Sequence, residues 1–83
     1  MGDTFHYVYI LVSQSAPGRH YTGITEDLQS RLELHNTGRC LHTSKYCPWR
    51  IETAVAFRSR DKAIAFEKYL KSHSGRAFAN RHF

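Results

Sequence analysis

Cysteine is scarce in this 83-residue chain: Cys40 and Cys47 make at most one bridge, which excludes a scaffold built on disulfides. Nowhere is there an unbroken apolar run of the roughly 18 residues that a membrane crossing requires, so no membrane partner is expected. A charged leader with an apolar stretch and a small-residue cleavage site is also missing, which points to the cytoplasm, where both thiols would be reduced. Repeats, linkers and low-complexity stretches are absent, and the length allows one hydrophobic core and a single domain over residues 1–83. Apolar residues at 41% and charged residues at 23% fit a soluble globular chain rather than a disordered one.

Acidic residues are the other shortage, and it is local. Up to residue 57, Arg19, Arg31, Arg39, Lys45 and Arg50 are balanced by Asp3, Glu26, Asp27, Glu33 and Glu52. Beyond it Arg58, Arg60, Lys62, Lys68, Lys71, Arg76 and Arg81 face only Asp61 and Glu67, so this segment holds the whole net charge of +5. Such a basic third suits a polyanion, although a solvated helix surface has the same composition.

The pattern of the chain reads as β-β-α-β-α. Phe5 to Val12 is a nearly continuous apolar and β-branched run, Ser13 to Arg19 a loop, and His20 to Thr25 a second short run, together a hairpin. Thr25, Glu26 and Asp27 mark a helix start and Asn36, Thr37 and Gly38 its stop. Residues 39–48 read as loop. From Arg50 to Phe57 strict alternation puts Ile51, Thr53, Val55 and Phe57 on one strand face. A second helix follows Ser59 and breaks at His73-Ser74-Gly75, and the pattern allows a short last helical piece from Arg76 onward. The fold class is α+β, a small antiparallel sheet with flanking helices.

Several polar residues stand where apolar ones belong. On the first helix Arg31 and His35 share a stripe with Leu28 and Leu32. On the second, Glu67 lies within the arc of Ala63, Phe66 and Leu70, where a carboxylate needs a salt bridge, for which Arg31 is the candidate, or a hard cation. Tyr7 and Tyr9 point the same way as Phe5 and Leu11, Tyr21 opens the second strand, and Gly23 suggests a close approach of a backbone or ligand.

In order and spacing, Tyr7-Val8-Tyr9, Tyr21-Thr22-Gly23, Arg31 with His35 four residues on, and Glu67 in a late helix resemble the GIY-YIG nuclease superfamily. Its compact single-domain branch is the nearest, through Tyr21-Thr22-Gly23-Ile24-Thr25, Pro48-Trp49, Ala65-Phe66-Glu67-Lys68-Tyr69-Leu70-Lys71 and Ser74-Gly75-Arg76-Ala77-Phe78. The resemblance implies a three-stranded antiparallel sheet with flanking helices and metal-dependent hydrolysis of a DNA phosphodiester, with Mg²⁺ or Mn²⁺ as cofactor and no small organic one. It places Tyr9, Tyr21, Arg31, His35 and Glu67 at catalytic positions, Glu67 on the metal. Tyr7 stands where the first triplet has glycine, Thr22 where the second has isoleucine, and Ile24 where some relatives carry lysine. Asn80 lies near the position of a DNA-contacting asparagine, beside Lys45, Lys68, Lys71 and Arg76 as candidate nucleic-acid contacts.

These residue types suit the chemistry. An arginine fork can hold non-bridging phosphate oxygens, and one carboxylate with waters and a phosphate is the usual company of magnesium. Tyr9 is assigned as base with help from His35, and Tyr21 as a positioning group, while the inverse order with His35 as base stays open. The loop residues Arg39, His42, Lys45 and Tyr46 suit an unpaired strand, so single-stranded or locally unpaired DNA is the expected substrate. Two other readings compete: a zinc site at Cys40, His42 and Cys47, whose spacing matches no common tetrahedral pattern, and a nucleic-acid-binding module without catalysis. The oligomeric state is open.

Overall fold

The computed structural model describes residues 4–83. Its elements are β1 (His6–Ser13), β2 (His20–Thr25), α1 (Leu28–Asn36), β3 (Trp49–Phe57), α2 (Arg60–Lys71) and α3 (His73–His82), with a 3-10 turn at Ser44–Tyr46. The strands form one antiparallel sheet, as the residue pattern and the resemblance both imply, and their order in it is β2-β1-β3.

β1 is central because nearly every residue in it is apolar, so both its faces must be covered. Val8 and Ile10 meet α2 and α3 in a core with Ala63 and Leu70, joined by Ile24, Phe57, Phe66, Phe78 and Ala79. On the other face Tyr9 and Leu11 pack with Trp49, against Tyr21, Leu28, Leu32 and Ile51. Each fully buried aliphatic side chain here contributes about 1.5–3 kcal/mol.

The strict alternation on the third strand does not survive intact. The register steps from Ile10↔Thr53 to Leu11↔Ile51, leaving Glu52 as an extra residue. Such a bulge turns the following side chains to the opposite face. Ile51 therefore joins the Tyr9 core and Phe57 the Val8 core, rather than sharing one face.

The last helix also begins earlier than its pattern indicates. His73, Ser74 and Gly75 form its first turn because Ser72 caps it: the Gly75 N–H donates to Ser72 Oγ at 3.1 Å. The glycine is needed for contact rather than for a break. A Cβ at Gly75 would run into the Tyr69 carbonyl and come within 2.6 Å of Leu70 Cα, so its absence lets α3 press on the end of α2. Gly75→Ala is expected to lower stability by about 1–3 kcal/mol or more, measured as the urea midpoint.

Candidate active site

Three of the aromatic residues singled out in the sequence meet on one sheet face. Tyr9 stands on β1 opposite Gly23 of β2, and a Cβ at Gly23 would lie 2.5 Å from the Tyr9 hydroxyl. The strand glycine thus makes room for a phenol. His35 descends from α1, which Asp27 starts by accepting the Ser30 N–H at 3.1 Å. Its ring lies 4.8 Å from that of Tyr21 and 6.1 Å from that of Tyr9, and the two tyrosine rings are 6.3 Å apart.

A chain of hydrogen bonds runs through the cluster. Tyr9 Oη lies 3.1 Å from His35 Nε2, and His35 Nδ1 lies 2.8 Å from Thr43 Oγ1. The Thr43 hydroxyl can in turn donate to the Cys40 carbonyl, at 3.5 Å. One consistent assignment has Tyr9 O–H donating to Nε2, and Nδ1–H donating to Thr43. Tyr9, His35 and Thr43 are 2%, 1% and 0% exposed, so each hydrogen bond replaces water that the group has lost.

Thr43 carries no sequence signal, since it lies in a stretch without periodicity. What places it is the anchoring of that stretch. Trp49 Nε1–H donates to the Thr43 carbonyl at 2.9 Å, the Asn36 amide bonds the Trp49 backbone on both sides, and Ser13 Oγ donates to the Tyr46 carbonyl at 2.6 Å.

The charges of the site follow from this burial. Burial pushes the Tyr9 phenol above its ordinary range, Tyr21 adds to the rise, and Arg31 opposes it. Glu67 raises it further, so Arg31 and Glu67 both act on this phenol, in opposite senses. Burial likewise lowers His35 below its usual 6.5, and the Arg31 cation lowers it further. The imidazole is therefore neutral at pH 7, with Nε2 available as an acceptor.

Arg31 lies one turn before His35 with its head in solvent, at the margin of the apolar stripe. It lines a shallow cavity together with Arg60, a second cation that the sequence reading did not single out. Glu67 is half-buried and is paired with Lys71, one turn on, at 2.7 Å, rather than with Arg31. A single partly buried carboxylate is the kind of group a hard cation of the magnesium type takes beside waters and phosphate, and Glu67 is the residue that would hold it. Among the described residues no three His, Cys, Asp or Glu side chains gather as a closed metal cage, and Cys47 donates to the Ser44 carbonyl.

The candidate nucleic-acid contacts separate into groups. Arg76, Asn80 and Lys71 line one cavity, Lys68 is exposed on α2, and Lys45 lies 5.7 Å from the Tyr46 ring. That ring is already covered by the Arg19 guanidinium, 4.8 Å from its centre.

The family described as the GIY-YIG catalytic domain matches residues 5–81, nearly the whole chain and every residue of this cluster. The chain belongs to the GIY-YIG family. A UPF0213 protein of Streptococcus pneumoniae serotype 4 is 33% identical over 67 residues, covering 80% of this chain and 68% of that one. The UPF0213 protein BH0048 of Halalkalibacterium halodurans is 36% identical over 72 residues, covering 86% and 74%. The solution NMR structure of the UPF0213 protein BH0048 from Bacillus halodurans superposes with a TM-score of 0.56 at 31% identity, covering 93% of this chain and 83% of that one. This GIY-YIG domain is therefore of the compact kind, and Tyr9 and Tyr21 of its sheet form one ring cluster with His35 of α1.

Two measurements test the buried chain. Thr43→Val leaves the Nδ1–H of His35 without its acceptor and is expected to cost about 1–3 kcal/mol, whereas Thr43→Ser keeps most of the stability. Because His35 is lowered in the fold, the unfolded chain takes up its proton first. Its contribution is thus complete above about pH 6.5 and is lost as pH falls below that value toward the folded pKa. Urea midpoints between pH 7 and pH 5, compared with those of His35→Gln, should show this loss only with the histidine present.

Proposed function

We propose that this GIY-YIG domain is a divalent-metal-dependent endonuclease that hydrolyses DNA phosphodiester bonds, preferring single-stranded or locally unpaired DNA. The observation that carries the reading is the Tyr9–His35 hydrogen bond, 3.1 Å long, in a buried ring cluster on which Arg31 and Glu67 both act. A structural tyrosine needs only one satisfied hydroxyl. Here the hydroxyl is held by a neutral imidazole whose other nitrogen is also held.

Hydrolysis requires that a water lose a proton as its oxygen attacks phosphorus. Tyr9 is a poor base alone, since burial holds its proton on. With His35 behind it, Tyr9 can take the water's proton while its own passes to His35 Nε2, so no free phenolate has to accumulate. Thr43 keeps Nδ1 protonated and Nε2 open. Tyr21, ring to ring with His35, is the group placed to orient the water or phosphate. Arg31 supplies a fork for the non-bridging oxygens, and its solvent-facing head leaves it free to meet a strand. A divalent cation on Glu67 would supply positive charge where the leaving oxygen departs. Lys71 neutralises the same carboxylate when that cation is absent.

The reading that unpaired DNA is preferred draws on the basic groups on α2, α3 and the loop stretch, which offer contacts to a single strand's backbone. Cleavage of end-labelled oligonucleotides with Mg²⁺ or Mn²⁺, alone and annealed, tests both halves of the reading. Faster cutting of the unpaired form is expected. Binding in EDTA without cleavage in either metal would instead mark a nucleic-acid-binding module.

Substitutions should separate the roles. Glu67→Ala is expected to abolish cleavage while circular dichroism and binding in EDTA persist, because the carboxylate's partner is a surface lysine. Arg31→Ala and Tyr9→Phe should each lower kcat about a hundredfold or more with little change in binding. Activity should also fall on acidification, though only once the pH drops from the usual 6.5 to the lowered pKa of the folded His35, where the imidazole becomes protonated and can no longer accept. Binding should weaken steeply with salt, and removing the charges of Lys68 and Lys71 together should flatten that slope.

A further inference from the structure

On the sheet face opposite Tyr9, next to the centre, lies a cavity of about 450 Å³ that the reaction outlined above does not use. Two of its walls touch that centre. Tyr21, which lines it, stacks near His35, and Lys71, which also lines it, is bonded to Glu67. A strand whose phosphate lies among Tyr9, Arg31 and Glu67 therefore has this cavity as its neighbour.

The lining of the cavity combines cations, apolar surface and a carboxylate. Arg76 and Asn80, one turn apart on α3, line it with Lys71 and can hold a phosphate. Ile10, Leu70 and Ala79 give an apolar floor of the kind a planar ring covers. The lining also includes Glu52, the bulge residue of β3, whose carboxylate lies 3.6 Å from His20 Nε2 and keeps oxygen lone pairs for a further donor. Cation, apolar surface and carboxylate acceptor are the groups that a phosphate, an aromatic ring and an exocyclic amine call for.

We propose that this cavity is a subsite for one unpaired nucleotide of the cleaved strand, with its phosphate on Arg76 and Lys71, its base over Ile10, Leu70 and Ala79, and its amine toward Glu52. The subsite rests on the nuclease reading above and narrows its substrate: adenine, cytosine and guanine carry the amine, and thymine does not. The carboxylate of Glu52 needs the bulge to face the cavity, which gives that irregularity a chemical use.

The test is binding of a labelled single-stranded oligonucleotide in EDTA, with one abasic site moved along the strand. Loss of the base should weaken binding about tenfold at one position and little elsewhere. Ala79→Phe fills the floor and should erase that dependence, with folding checked by circular dichroism. Glu52→Gln, a half-exposed change that should leave the fold intact, is expected to reduce the preference for cytosine or adenine over thymine at the same position. A flat abasic profile, or an unaltered profile in folded Ala79→Phe, overturns the subsite. Should Ala79→Phe not fold, an unaltered base preference in Glu52→Gln overturns it instead. Absence of cleavage in either metal, with the abasic profile intact, would retire the nuclease reading and leave the subsite standing.

Discussion

A tyrosine on the middle strand of a sheet covered on both faces has no water to satisfy its hydroxyl, and Tyr9 meets this need through His35. That one hydrogen bond imposes most of what surrounds it. The phenol requires a glycine opposite, because any Cβ at Gly23 would overlap it. The imidazole requires a second partner, because a buried ring with one free N–H would lose more than the bond returns. Thr43 is that partner, and the loop that carries it is tied down by Ser13, Asn36 and Trp49.

The rigidity so obtained bears on chemistry. A group that must give and take a proton works best when its position and tautomer are settled before substrate arrives. In this GIY-YIG domain the settling is done by burial, which keeps Tyr9 protonated and His35 neutral. The charges lie outside this chain: Arg31 with its head in solvent, and Glu67 half-buried and paired with Lys71. On the nuclease reading proposed above, a dry hydrogen-bonded path beside charges nearer the solvent would be the division of labour that phosphodiester hydrolysis calls for.

One irregularity divides the residues of β3 between the two cores. Before the bulge β3 gives Trp49 and Ile51 to the Tyr9 core, and after it Phe57 goes to the Val8 core. Without that step Ile51 and Phe57 would lie on one face, as the alternation in the sequence implies.

Element types and their order were legible in the residues, because apolar period and turn chemistry are local properties. The β1 run, the Asp27 start of α1, the Gly38 stop and the Ser59 start of α2 all act within a few residues of themselves. Arg31, His35 and Glu67 stood out as polar residues in apolar stripes, and their order with the two triplets was enough to indicate the family. What the sequence could not show depends on partners far along the chain. The bulge at Glu52 exists only relative to β1, Gly75 is a contact glycine only because α3 returns onto α2, and Thr43 matters only because His35 lies above it. Likewise a carboxylate finds the nearest cation in space: Glu67 met Lys71 rather than Arg31, since one helical turn is a shorter reach than the gap between α2 and α1. Local periodicity determined which elements form; long-range packing decided which buried polar groups would find each other.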